Sequence, residues 1–181
     1  MSPEVCPLAP LPGSDPAEWV RYEKRCAFDE ARAMAGWLGP VPFRLFVTVA
    51  PLAPLGPGTY RWLAEDLLDL VSIAGGVARR ELGLLGFTQR NKRGGLHAHE
   101  LIAGPSEIAS IHRVTLARLC ESRWGEVQPM RLDYTVRQNM RVDVQAVRGP
   151  TVVSYCTRYA GRECEGDMFE AGRGLSGWGV G

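Results

Sequence analysis

Two apolar, β-rich runs, Leu82 to Arg90 and Leu96 to Ala103, are joined by the turn-like segment Asn91-Lys92-Arg93-Gly94-Gly95, and this pairing constrains the chain more than any other feature. Such runs around a glycine-bearing connection predict a β-hairpin. The second run reads Leu96-His97-Ala98-His99-Glu100-Leu101-Ile102. Strand side chains alternate between faces, so His97 and His99 project from one side, close enough to share a metal ion, and Glu100 points to the other. Imidazole is the commonest side-chain ligand for such ions. The plainer reading is a strand with two half-buried histidines, but two of the chain's three histidines fall at this spacing. The third, His112, is expected mid-helix on the surface.

Gln89 lies eight residues before His97. An odd-length connection centred near Arg93 would set the two residues opposite each other, pointing the same way, and Gln89 could then supply an oxygen ligand. A two-residue turn at Gly94-Gly95 would pair Gln89 with Glu100 instead.

The rest of the chain is punctuated clearly. Residues 1–16 are rich in Pro, Gly and Ala and read as a loose arm. Asp15 to Leu38 fits a helix capped by Ser14 or Asp15, with Pro16 in its first turn and Trp19, Tyr22, Cys26, Ala33 and Trp37 as its apolar pattern. Phe43 to Val49 is a strand stopped by Pro51 and Pro54. Thr59 to Ile73 predicts a helix with Trp62, Leu63, Leu67, Leu70 and Val71 on one face, closed by Gly75 and Gly76. Pro105-Ser106-Glu107 opens a helix to about Trp124; Arg131 to Val136 and Val142 to Val147 predict a second hairpin; and Pro150 starts a helix to about Gly161. The expected class is α+β, an antiparallel sheet of about five strands with helices packed on it. One domain over 17–163 and a glycine-rich, irregular tail over 164–181 complete the organisation.

With 181 residues, 45% of them hydrophobic, the chain can bury one full core. No apolar stretch of about 18 residues is present, so no membrane partner is expected, and no signal peptide is visible. The five cysteines are odd in number, scattered and without a CxxC pair, which predicts neither a disulfide framework nor a zinc knuckle and suits a cytoplasm, that of a bacterial or archaeal host cell. The net charge of +1 hides an asymmetry: residues 89–162 hold twelve Lys or Arg against six Asp or Glu, the remainder nine against fourteen. Such segregation suits a phosphate-binding face, with Lys92, Arg93, Arg158 and Arg162 as expected contributors, although solvated arginines would give the same count.

A second constellation is Val152-Val153-Ser154-Tyr155-Cys156-Thr157-Arg158-Tyr159. On a helix, Tyr155 and Tyr159 share a face, with Arg158 beside Tyr155 at i+3. A phenol ionising near 10 needs help to act as a nucleophile, and a neighbouring guanidinium favours the phenolate and can neutralise a phosphate oxygen. The competing reading is a helix whose tyrosines merely pack on the sheet.

His97-Ala98-His99 resembles the His-hydrophobic-His motif that names the HUH superfamily of endonucleases, and Phe46-Val47-Thr48 resembles the short apolar strand motif upstream of it. Tyr155-Cys156-Thr157-Arg158-Tyr159 resembles the Tyr-x-x-Lys-Tyr helix of rolling-circle replication initiators from small phages and plasmids. Glu121-Ser122-Arg123-Trp124-Gly125 resembles their Trp-containing helix end. The motifs stand in the family's order over about residues 43–163. Arg158 replaces the usual lysine, and Gln89 stands where many members have Glu or His. The resemblance implies an RRM-like HUH fold and a Mn²⁺ or Mg²⁺ ion on His97, His99 and Gln89. It makes Tyr155 the nucleophile that forms a 5′-phosphotyrosyl link in single-stranded origin DNA, with Tyr159 as a second nucleophile and host helicase and polymerase as further partners. No Walker-type glycine loop is present, so no fused helicase is expected. The alternatives are a tyrosine transposase or relaxase of the same superfamily, and a non-catalytic RRM-like module presenting Phe43, Phe46 and Phe87 to bases. A zinc hydrolase would need a third strong ligand that the sequence does not offer.

Overall fold

The hairpin orders the sheet. In the computed structural model, which describes residues 9–51, 57–90, 96–126, 141–162 and 168–178, its two strands run Gly83–Arg90 and Leu96–Ala103. They pair antiparallel with Gln89 opposite His97 and Arg90 opposite Leu96, so the connection is the odd-length one. In chain order the main elements are α1 (Pro16–Trp37), β1 (Phe43–Ala50), α2 (Pro57–Gly75), β2 (Gly83–Arg90), β3 (Leu96–Ala103), α3 (Arg113–Glu126), β4 (Arg141–Ala146), α4 (Pro150–Arg162) and β5 (Met168–Gly172). The sheet order is β4-β1-β3-β2-β5, antiparallel at every ladder. The α+β class with a five-stranded antiparallel sheet is therefore the architecture observed.

Helices cover both faces. On one, Leu45, Val47, Val49, Leu84, Ala98 and Ile102 meet the buried side chains of α2 (Tyr60, Leu63, Leu67, Leu68) and α3 (Leu116, Cys120, Trp124). On the other, Phe43, Phe46, Leu85, Phe87 and Leu101 lie with Val153 and Cys156 of α4 and with Leu38 and Val41 after α1. Helix α1 packs against α4 and forms the outermost layer on that side. Each fully buried aliphatic side chain in these layers contributes about 1.5–3 kcal/mol through removal of apolar surface from water.

Local chemistry sets the boundaries. Asp15 caps α1, its side chain accepting from Ala17 N at 2.9 Å, with Pro16 in the first turn. Gly76, at φ +63°, takes the left-handed conformation that ends α2. Asp66 of α2 is buried and accepts from Arg123 Nε at 2.8 and 2.7 Å and from Trp124 Nε1 at 2.9 Å, which ties the end of α3 to α2.

Several expectations are corrected. The segment after Cys164, expected to be irregular, supplies β5, whose Phe169 ring lies so close over Gly86 that it leaves no room for a Cβ there. Residues 106–110 form a separate 3-10 turn, so α3 begins only at Arg113 and His112 precedes the helix instead of sitting within it. His112 is exposed, with Nδ1 2.9 Å from Thr115 Oγ1. Trp37 and Trp62, expected on buried faces, are about half exposed, because Leu38 and Leu63 take the inward positions. The expected strand 131–136 lies outside the described residues.

Candidate metal and tyrosine site

Alternation along β3 sends Ala98, Glu100 and Ile102 into the layer under α2 and α3, and His97, His99 and Leu101 to the face under α4. His97 Nε2 and His99 Nε2 converge to 3.1 Å, with the ring planes 89° apart. Two nitrogens bound about 2.1 Å from one ion and 90° apart around it would be separated by about 3.0 Å, so the spacing suits neighbouring positions on a shared ion. Gln89, buried on β2, is the cross-strand partner of His97 and shares its face. Among the described residues no group of three His, Cys, Asp or Glu is placed to hold a metal.

Electrostatics favour the ligand form of His99. Burial, and secondarily the neighbouring His97, pull its pKa down to about 4, so the ring is neutral at pH 7. Its Nδ1 lies 3.1 Å from Thr48 Oγ1. A proton on Nδ1, donated to Thr48, leaves the Nε2 lone pair facing His97 and fixes the ring's orientation. Thr48 reaches this place because β1 pairs Thr48 with His99. Apart from Arg44 it is the one polar residue of β1, a signal present in Phe46-Val47-Thr48 but not assigned to this role by the sequence.

Helix α4 brings Tyr155 over the same spot. Its ring centroid is 5.8 Å from that of His99 and 6.3 Å from that of Phe46, edge-on to both, and Phe46 in turn stacks on His99 at 5.5 Å. Tyr155 remains 42% exposed, so it faces solvent and the histidine pair together. Arg158, Tyr159 and Arg162 belong to α4, but their side chains fall outside the described residues, as do Lys92 and Arg93 entirely.

A cleft of about 370 Å³ opens beside Tyr155 and His99 and runs from Phe46 and Thr48 to Gln145 on β4 and to Thr151 and Val152 in the first turn of α4. Its β4 side was not anticipated. Asp143 and Gln145 pair across the strand with Thr48 and Phe46, so both sit on the site face, and Gln145 Nε2 donates to Asp143 Oδ2 at 2.6 Å. The alternation Val142-Asp143-Val144-Gln145 carried that signal, once β4 was known to lie beside β1.

Glu100 occupies the opposite face. It is fully buried, neither carboxyl oxygen has a hydrogen-bond partner among the described residues, and burial pushes its pKa up to about 8. It is thus no ligand of the histidine pair, as alternation requires.

Phe43, Phe46 and Phe87 are buried beneath α4 and α1, and of the three only Phe46 lines the cleft. No helix among the described residues is long and apolar enough to cross a membrane. No protein-family model, curated protein or solved structure matches this chain.

Proposed function

We propose that the chain is an HUH-type endonuclease of the rolling-circle initiator kind, which nicks and rejoins single-stranded DNA at a replication origin through a tyrosine. The observation that carries this reading is the convergence of Tyr155 with the His97–His99 pair, from elements more than fifty residues apart, at the mouth of an open cleft. The strand order β4-β1-β3-β2 within a β-α-β-β-α-β run is consistent with an RRM-like core, extended here by β5 and covered by α1 and α4.

His97 and His99, through Nε2, and Gln89, through its amide oxygen, would hold Mn²⁺ or Mg²⁺; the nitrogen pair leans toward Mn²⁺. When bound, the ion polarises the scissile phosphate. Thr48 keeps the His99 ring oriented, and Phe46 keeps water from its face. Tyr155 gives up its phenolic proton to solvent as Oη forms the new bond to phosphorus, the bond from phosphorus to the 3′ oxygen breaks, and that oxygen takes up a proton from solvent and leaves as a hydroxyl. The phosphodiester is exchanged for a phosphotyrosyl ester, so strand rejoining needs no nucleotide. Tyr159 is the second nucleophile of this reading.

The test is incubation of the protein with a pool of single-stranded oligonucleotides and Mn²⁺, followed by denaturing electrophoresis. A covalent adduct that EDTA abolishes, and that maps to Tyr155, is expected. Binding of the pool with no adduct under any divalent ion would refute the enzyme and leave a binding protein.

A further inference from the structure

The cleft extends well beyond what a tyrosine and a metal need. From Tyr155 it continues over β1 to β4, where Gln145 lies on its wall and Thr151 and Val152 close it from α4. Its volume of about 370 Å³ falls in the range of sites that hold one small molecule. It is open to solvent, and its lining mixes apolar (Phe46, Val152) and polar (Thr48, Gln145, Thr151) side chains, as a nucleobase with an apolar face and a polar edge requires.

Gln145 is exposed on β4, and a neighbouring carboxylate orients its amide. Its Nε2 is held 2.6 Å from Asp143 Oδ2, and turning the amide over would set oxygen against carboxylate oxygen. One N–H is therefore committed to Asp143, and the amide keeps its oxygen and its second N–H for a ligand. An acceptor and a donor on one amide are the groups with which glutamine pairs to a base. We propose that this cleft holds one unstacked nucleotide next to the phosphate attacked by Tyr155, and that Gln145, braced by Asp143, reads the edge of its base. The proposal rests on the endonuclease reading for its position relative to the phosphate, but not for the binding of a base.

Covalently captured strands from a randomised single-stranded pool can be sequenced. The wild-type protein is expected to show a base bias of at least about fivefold at one position within a nucleotide or two of the linked phosphate. Gln145→Ala should flatten that position to within about twofold and leave the others unchanged. Gln145→Glu, an acceptor only and no longer held by Asp143, should move the preference toward bases that offer donors, guanine through N1–H and its amine and adenine and cytosine through their amines. Persistence of the wild-type bias in both variants, with adducts still formed, overturns the proposal and leaves the endonuclease reading intact. If the wild-type protein forms no adduct, that reading falls, and the subsite is decided by fluorescence anisotropy with dA, dC and dT decamers. The wild-type affinity ratios among the three should then shrink toward one in Gln145→Ala, and unchanged ratios overturn the subsite.

Discussion

Replacing Glu100 by glutamine should remove most of a pH dependence that Glu100 imposes on stability. The carboxyl group is fully buried beside no hydrogen-bond partner among the described residues, and burial lifts its pKa from 4.5 to about 8. In the unfolded chain the same group ionises near its ordinary value, so between these two pH values the native state holds a proton that the unfolded state has released. Stability therefore falls as pH rises across this window, is fully present below about 4.5, and is level again above about 8. At about 1.4 kcal/mol per pH unit the window is worth up to about 5 kcal/mol. In a chain of this size that corresponds to a displacement of the melting temperature of about 10–20 °C. The assay is urea unfolding of both proteins from pH 4.5 to 9 in EDTA, so that no ion on the neighbouring histidines contributes. His99 is held neutral down to about 4 and acts in the opposite direction below 6.5, but it is common to both proteins and cancels in their difference. The difference curve should favour Glu100→Gln increasingly toward pH 8. Parallel curves across the range would refute the reasoning, since they would mean that the carboxyl group is hydrated or paired in solution.

Tyr155→Phe should eliminate the covalent adduct, whereas Tyr159→Phe should leave first-strand cleavage and impair rejoining; peptide mapping of the wild-type adduct to Tyr159 would reverse the order. Thr48→Val removes the acceptor for His99 Nδ1 and should weaken Mn²⁺ binding about 10–100-fold, read directly by electron paramagnetic resonance titration, with unchanged affinity counting against a role for Thr48. DNA affinity should fall steeply with salt, because the basic 89–162 segment would displace counterions from phosphates, and a flat response between low and high salt would make the charge asymmetry incidental.

Much of the fold could be read in the sequence because its signals are local. The strand over 96–103 is bounded by glycines on one side and by Gly104-Pro105 on the other, and it appears at those bounds. Strand β5 gave no such signal. Met168-Phe169-Glu170-Ala171-Gly172 is short and mixed, and it becomes a strand because β2 offers an edge on which Gly86 makes room for the Phe169 ring. The misplacement of Trp37 and Trp62 has a related cause. Large aromatics look like core residues by hydropathy, but a helix turn has one innermost position, and smaller neighbours that fit the sheet surface occupy it.

The site divides in the same way. His97, His99 and Gln89 were legible because a strand period and a hairpin length are properties of contiguous sequence, and together they fix which side chains share a face. Tyr155 was legible as a candidate, but its distance from the histidines was not, since it depends on how α4 lies across the sheet. Thr48, Asp143 and Gln145 owe their positions to the pairing of β1 with β3 and β4, across gaps of about fifty and ninety-five residues. No local rule predicts those ladders. Once they exist, alternation along β1 and β4 leaves little freedom: with Val47, Val142 and Val144 directed into the core under α2 and α3, Thr48, Asp143 and Gln145 must lie on the face of the histidine pair. The same apolar alternation that secures the core thus carries the polar half of the cleft to the site, which is why a one-residue slip of β4 would bury Asp143 and Gln145 and empty the cleft wall of polar groups.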